Sequence, residues 1–235
     1  MTESVPCPHE FTTILNRRGR KYSTGGARSG RCIENIVLFE GGLIQPRWIS
    51  RLRRMLERQR SWSTSELRPP APRRFSEAFS EELHRTGRFG SALPRSRGPV
   101  SIGLRRLGVW RMLQSASLRR FVECFAGERL IQNGCQVIRY DEGDYQGPHL
   151  DIYPPKHGKR YYFDFHLTLS NEKCVRQELF YQTDADGHCN RGLNVGSSGT
   201  IAIHRLPFWH QVTPLVGRGA KRWVLIASFD PASDD

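Results

Sequence analysis

From residue 131 onward the chain is broken into short apolar runs. CQVIRY (135–140), YYFDFHLTLS (161–170), QELFYQ (177–182), SGTIAIHRL (198–206), HQVTPLV (210–216) and RWVLIASF (222–229) alternate with turn-forming clusters such as DEGDYQGP, DADGHCNRG and NVGSSG. Six short strands separated by Gly, Asp and Asn predict an antiparallel sandwich or barrel. No internal repeat is visible.

The first half reads differently. Pro46 sits at a plausible first helical position, and Trp48, Ile49, Leu52, Met55 and Leu56 recur at helical spacing, which predicts an amphipathic helix over 46–60. A second helix is expected over 109–125, ended by Gly127. IENIVLFEGGLI (33–44) reads as a strand with a Gly-Gly turn, and a short helix is expected over 76–86 with Ser76 as its cap. Residues 1–30 show no sustained period and read as a flexible tail. Residues 31–130 then form a helical, basic N-terminal part, 61–108 a connection suited to a substrate lid, and 131–235 the strand-rich core.

Charge follows the same division. Residues 1–130 hold 25 Lys and Arg against 11 Asp and Glu; residues 131–235 hold 11 against 12. Such an excess suits an anionic partner, or is simply a solvated basic surface. No run of about eighteen apolar residues is present, so no membrane span is expected. The N-terminus lacks the apolar stretch of a secretory signal. The six cysteines include no CxxC pair, which fits reduced thiols and a cytoplasmic address.

The chemistry-bearing residues lie in the second half. In GPHLDIY, His149 and Asp151 are two residues apart, and in a strand i and i+2 project from one face. His210 opens a later strand. Two imidazoles and one carboxylate form a facial triad that leaves metal positions open, as non-haem Fe(II) chemistry requires. By itself an HxD is equally a surface turn. Arg222 opens the last apolar strand, where its guanidinium either pairs bidentately with a carboxylate inside a barrel or caps the strand end, as Lys221 also could.

Taken together, QVIRYDEGDYQGPHLD, RYYFDFHLTLS, ELFYQ and GTIAIHRLPFWHQVTPLVGRGAKRWVLIASF resemble the prolyl-4-hydroxylase-like branch of the Fe(II)/2-oxoglutarate dioxygenases. The resemblance covers about residues 131–230, with four blocks in order. It implies an α+β fold: a double-stranded β-helix (jelly-roll) core with N-terminal buttressing helices. It implies His149, Asp151 and His210 as iron ligands and Arg222 as the anchor of the far carboxylate of 2-oxoglutarate. Tyr140 matches a strand tyrosine that hydrogen-bonds the same carboxylate, and is equally readable as a core aromatic. Thr168 matches a helping position on the central strand. The cofactors implied are Fe(II), 2-oxoglutarate and O2, with ascorbate as a stimulant.

Two departures stand out. GRGA (217–220) lengthens the separation from His210 to Arg222, leaving Arg218 or Lys221 as alternatives for its role. Val175-Arg176-Gln177 stands where the family has Gly-Gly. The implied activity is an oxidoreductase hydroxylating an aliphatic C–H of a small molecule, such as an amino acid or a biosynthetic intermediate. The carboxylate at Asp151, where halogenases of the family have Gly or Ala, points to hydroxylation or a related desaturation or cyclisation. A peptidyl (prolyl-type) hydroxylase and a non-catalytic jelly-roll binding RNA or an acidic surface are the alternatives. A nucleic acid substrate is not expected. Arg95, Arg97, Arg105 and Arg106 read either as meeting an anionic substrate or as a solvated loop. His157, His166 and His204 are not expected as ligands.

Overall fold

The computed structural model describes residues 8–23, 31–33, 35–67, 87–150, 161–182 and 189–232. After a 3-10 turn at Phe11–Thr13 come α1 (Arg17–Tyr22), β1 (Arg31–Ile33), β2 (Ile36–Phe39), α2 (Pro46–Glu57), β3 (Thr64–Leu67) and β4 (Gly87–Ala92). Three helices follow, α3 (Pro99–Arg106), α4 (Val109–Leu113) and α5 (Ala116–Ala126). The rest is strand: β5 (Leu130–Asp141), β6 (Tyr145–Leu150), β7 (Tyr162–Ser170), β8 (Glu178–Gln182), β9 (Cys189–Asn194), β10 (Ile201–Leu206), β11 (Trp209–Val212) and β12 (Lys221–Pro231).

The last eight strands pair from the outside in: β5 with β12, β6 with β11, β7 with β10 and β8 with β9, all antiparallel. Successive pairs alternate between two layers, β10-β7-β12-β5 and β6-β11-β8-β9. This nested order is a double-stranded β-helix, the expected jelly-roll core. β2 and β1 extend the first layer beyond β10. β4 joins the layers: Gly87 and Arg88 pair with β6, while Gly90, Ser91 and Ala92 pair with β5.

Strand periodicity decides what each layer faces. On β7, Phe163, Phe165, Leu167 and Leu169 pack with the helices in one apolar core; on β12, Trp223, Leu225, Ala227 and Phe229 do the same. The alternate residues turn into the barrel, where Val224 and Ile226 join a second apolar cluster with Ile138, Tyr140, Leu179 and Val212. The helices thus buttress the outer face of one layer and leave the barrel interior free.

Several expectations need correction. Residues 8–23, read as part of a flexible tail, are packed: Phe11, Ile14 and Leu15 are fully buried. Phe11 meets Phe121 and Phe165 edge-on at 5.3 and 5.2 Å between centroids. The tail has too few apolar residues to show a period, but one aromatic is enough to dock it. The helix expected over 109–125 is two helices. Ser115 separates them: its hydroxyl donates to the Met112 carbonyl and accepts from the Leu118 and Phe11 amides. Residues 31–130 hold four strands besides helices, and within 61–108 lie β3, β4 and α3. The helix expected over 76–86 lies outside the described residues. β9 falls in what read as a turn cluster. Among the described residues no helix is long and apolar enough to cross a membrane.

Candidate active site

The barrel interior holds a cavity of about 360 Å³. Its polar lining comes from both layers: His149 and His210 from one, Thr168 and Arg222 from the other.

His149 and His210 are direct cross-strand partners on β6 and β11, both at least nine-tenths buried, with ring centroids 4.3 Å apart. Their Nδ1 atoms lie 2.7 and 3.0 Å from the carbonyls of Gly147 and Phe208. A carbonyl only accepts, so each Nδ1 carries the proton and each Nε2 the lone pair that a metal takes. The donor set therefore fits a divalent metal with imidazole ligands. Asp151, two residues beyond His149, lies outside the described residues, as does His157.

Arg222 is 4% exposed. One terminal nitrogen donates to Gln177 Oε1 at 2.8 Å and the other to Thr168 Oγ1 at 3.1 Å. Nε is buried and has no hydrogen-bond partner. Among the described residues no carboxylate pairs with this guanidinium, although burial of an unpaired charge costs several kcal/mol. That burial pushes its pKa down to about 10, against the opposing influence of Tyr140 and Cys174. An unpaired, oriented, buried guanidinium is a site built for an anion.

The two alternatives for Arg222 fall away. Arg218 is exposed in the turn between β11 and β12, and Lys221 precedes Arg222 on β12 and so points to the opposite side. The turn is specific to glycine at Gly217, where φ is +134° and an added Cβ would lie 1.9 Å from the Lys173 carbonyl oxygen.

Tyr140 lies opposite Arg222 across the β5–β12 ladder, its ring 5.4 Å beneath the guanidinium carbon. Its hydroxyl donates to Gln146 Oε1. Gln177 was missed. It is fully buried, and its amide nitrogen donates to the carbonyls of Asp144 and Thr213 at 3.2 and 2.9 Å, which aims its oxygen at Arg222. The signal was the replacement of Gly-Gly by Val175-Arg176-Gln177. Arg95, Arg97, Arg105 and Arg106 do not line the cavity; Arg105 instead donates to the Pro94 carbonyl.

No protein-family model and no curated protein sequence matches the chain. Solved structures do. An oxidoreductase of the 2OG-Fe(II) oxygenase family from Burkholderia pseudomallei is 14% identical, with a TM-score of 0.54 over 90% of each chain. SnoN, a non-heme alpha-ketoglutarate-dependent epimerase from nogalamycin biosynthesis, is 13% identical, with a TM-score of 0.54 over 92% of this chain and 84% of its own. A prolyl hydroxylase from Trichoplax adhaerens, solved with a peptide fragment, is 13% identical, with a TM-score of 0.50 over 91% and 90%. The nested strand pairing and these likenesses agree: the chain has the double-stranded β-helix fold of the 2OG-Fe(II) oxygenases.

Proposed function

We propose that the protein is an Fe(II)- and 2-oxoglutarate-dependent dioxygenase that hydroxylates an aliphatic C–H of a small molecule. The observation that carries this reading is Arg222, a buried guanidinium with no carboxylate partner among the described residues, in the same cavity as the His149–His210 pair. His149, His210 and Asp151 would hold the iron, and Arg222, steered by Thr168 and Gln177, would bind the distal carboxylate of 2-oxoglutarate. Tyr140 lends its ring face to that guanidinium. When bound, iron with 2-oxoglutarate and O2 supplies an oxidant strong enough for an unactivated C–H bond. The protein's own work is orientation and exclusion of water by the apolar wall of Ile138, Val224 and Ile226.

A small-molecule substrate is consistent with a cavity of about 360 Å³, part of which 2-oxoglutarate beside Arg222 would fill. Peptidyl hydroxylation is the second reading, favoured by the likeness to the Trichoplax adhaerens prolyl hydroxylase. The test is an anaerobic titration of Fe(II) into the protein with 2-oxoglutarate, following the visible charge-transfer band of the chelate. A band that is lost with His149→Ala and weakened by Arg222→Ala is expected. A folded protein with no band overturns the reading.

A further inference from the structure

The inward face of β7 carries Asp164, His166, Thr168 and Ser170. Thr168 is engaged by Arg222. Asp164 and His166 are not, and with His204 of β10 they form a second polar group on the cavity wall. His204 lies opposite Asp164 in the ladder, and the His166 and His204 rings are 4.4 Å apart. Asp164 is 7% exposed, and its Oδ1 is buried without a hydrogen-bond donor. Its Oδ2 comes to 3.8 Å from His166 Nε2, beyond hydrogen-bond reach. The Nε2 atoms of His166 and His204 are likewise buried and unmatched. Two buried side chains, Asp164 and His204, and the half-buried His166 thus carry atoms that make no hydrogen bond with the described residues, Asp164 and His166 meeting at ion-pair distance alone.

Their charge defines what they would accept. Burial holds His204 neutral, with His166, His210 and Arg222 all opposing its protonation. Of the described lining residues Arg222 is the one Lys or Arg. It engages Thr168, four residues from Asp164 along β7, or about 13 Å at the usual rise of a strand. Arg222 therefore does not reach Asp164: the cavity has a guanidinium at one end and, at the other, a carboxyl whose one ion-pair neighbour among the described residues is His166 at 3.8 Å. We propose that Asp164, His166 and His204 bind a protonated primary amine of the substrate. An ammonium brings one positive charge and three N–H donors to a carboxylate oxygen without a hydrogen bond and to imidazoles that each offer one acceptor nitrogen when neutral. The assignment rests on the dioxygenase reading, in which Arg222 takes 2-oxoglutarate and leaves the opposite pole for substrate. It replaces the expectation of an anionic substrate.

The test is calorimetric titration of the full chain, with 2-oxoglutarate and Mn(II) and again without metal, using hexylamine, hexanol and hexanoate as probes of equal length. Hexylamine is expected to bind at least ~10-fold more tightly than either of the others, a gap of about 1.4 kcal/mol. Asp164→Asn is expected to remove that preference. Equal binding of hexanol or hexanoate overturns the proposal, as does a folded Asp164→Asn that keeps the preference. The wild-type series decides alone if the variant does not fold. The anaerobic iron band separates the two readings. A band without amine preference leaves the dioxygenase and removes the amine site; amine preference without a band does the reverse.

Discussion

His149 and His210 face each other across the β6–β11 ladder, and each turns Nδ1 onto the carbonyl two residues before it, Gly147 and Phe208 respectively. The same local device fixes both tautomers before any metal arrives. His149→Ala and His210→Ala should each weaken anaerobic Fe(II) binding by at least ~100-fold, beyond the usual effect of losing an outer partner of a ligand. Equilibrium dialysis of Fe(II) with 2-oxoglutarate checks this.

Arg222 offers a sharper probe, because its charge lacks a carboxylate among the described residues. Thr168→Asp would supply one from the chain itself. It should lower 2-oxoglutarate affinity by at least ~10-fold, while Thr168→Val, which keeps the cation and removes one acceptor, should cost about 3- to 10-fold. Unchanged binding to Thr168→Asp in a calorimetric titration would mean that the cosubstrate carboxylate lies elsewhere.

Much of the second half was legible in sequence because strands there announce themselves. Apolar runs and turn clusters marked β5, β7, β8, β10, β11 and β12, and His149 and Arg222 stand near strand ends. The alternation of FDFHLTLS was also visible, and it left His166 open between the core and the pocket. Period 2 says which residues share a face and not whether that face meets water. β4, with the sequence GRFGSA, has few β-forming residues and is a strand because β3, β5 and β6 offer it partners. Gln177 stood in a segment that looked merely divergent from the family.

His204 sets a pH dependence. Its folded pKa lies well below the usual 6.5, because burial disfavours the cation. Below pH 6.5 the unfolded chain takes up a proton that the folded chain refuses, so stability falls as pH falls. Between pH 7.5 and 5 the melting temperature of the wild type should drop more than that of His204→Gln. Parallel melting curves for the two would remove His204 as the cause.

The docking of residues 8–23 has its own test. Phe11 is fully buried between Phe121 and Phe165. Phe11→Ala should destabilise the protein by about 3–5 kcal/mol, as for other large core truncations. A loss under about 1 kcal/mol in urea denaturation would show that the segment is dispensable to the fold.

The split pairing of β4 gives it a mechanical role. The His149–His210 pair belongs to one layer and Arg222 to the other, and β4 hydrogen-bonds to both. It acts as a tie bar that sets the gap between the histidine pair and the guanidinium. A kink in this strand would therefore detune both binding sites at once while leaving every contacting side chain in place. The spacing between the two layers' polar groups is thus held by a segment outside the eight-stranded core.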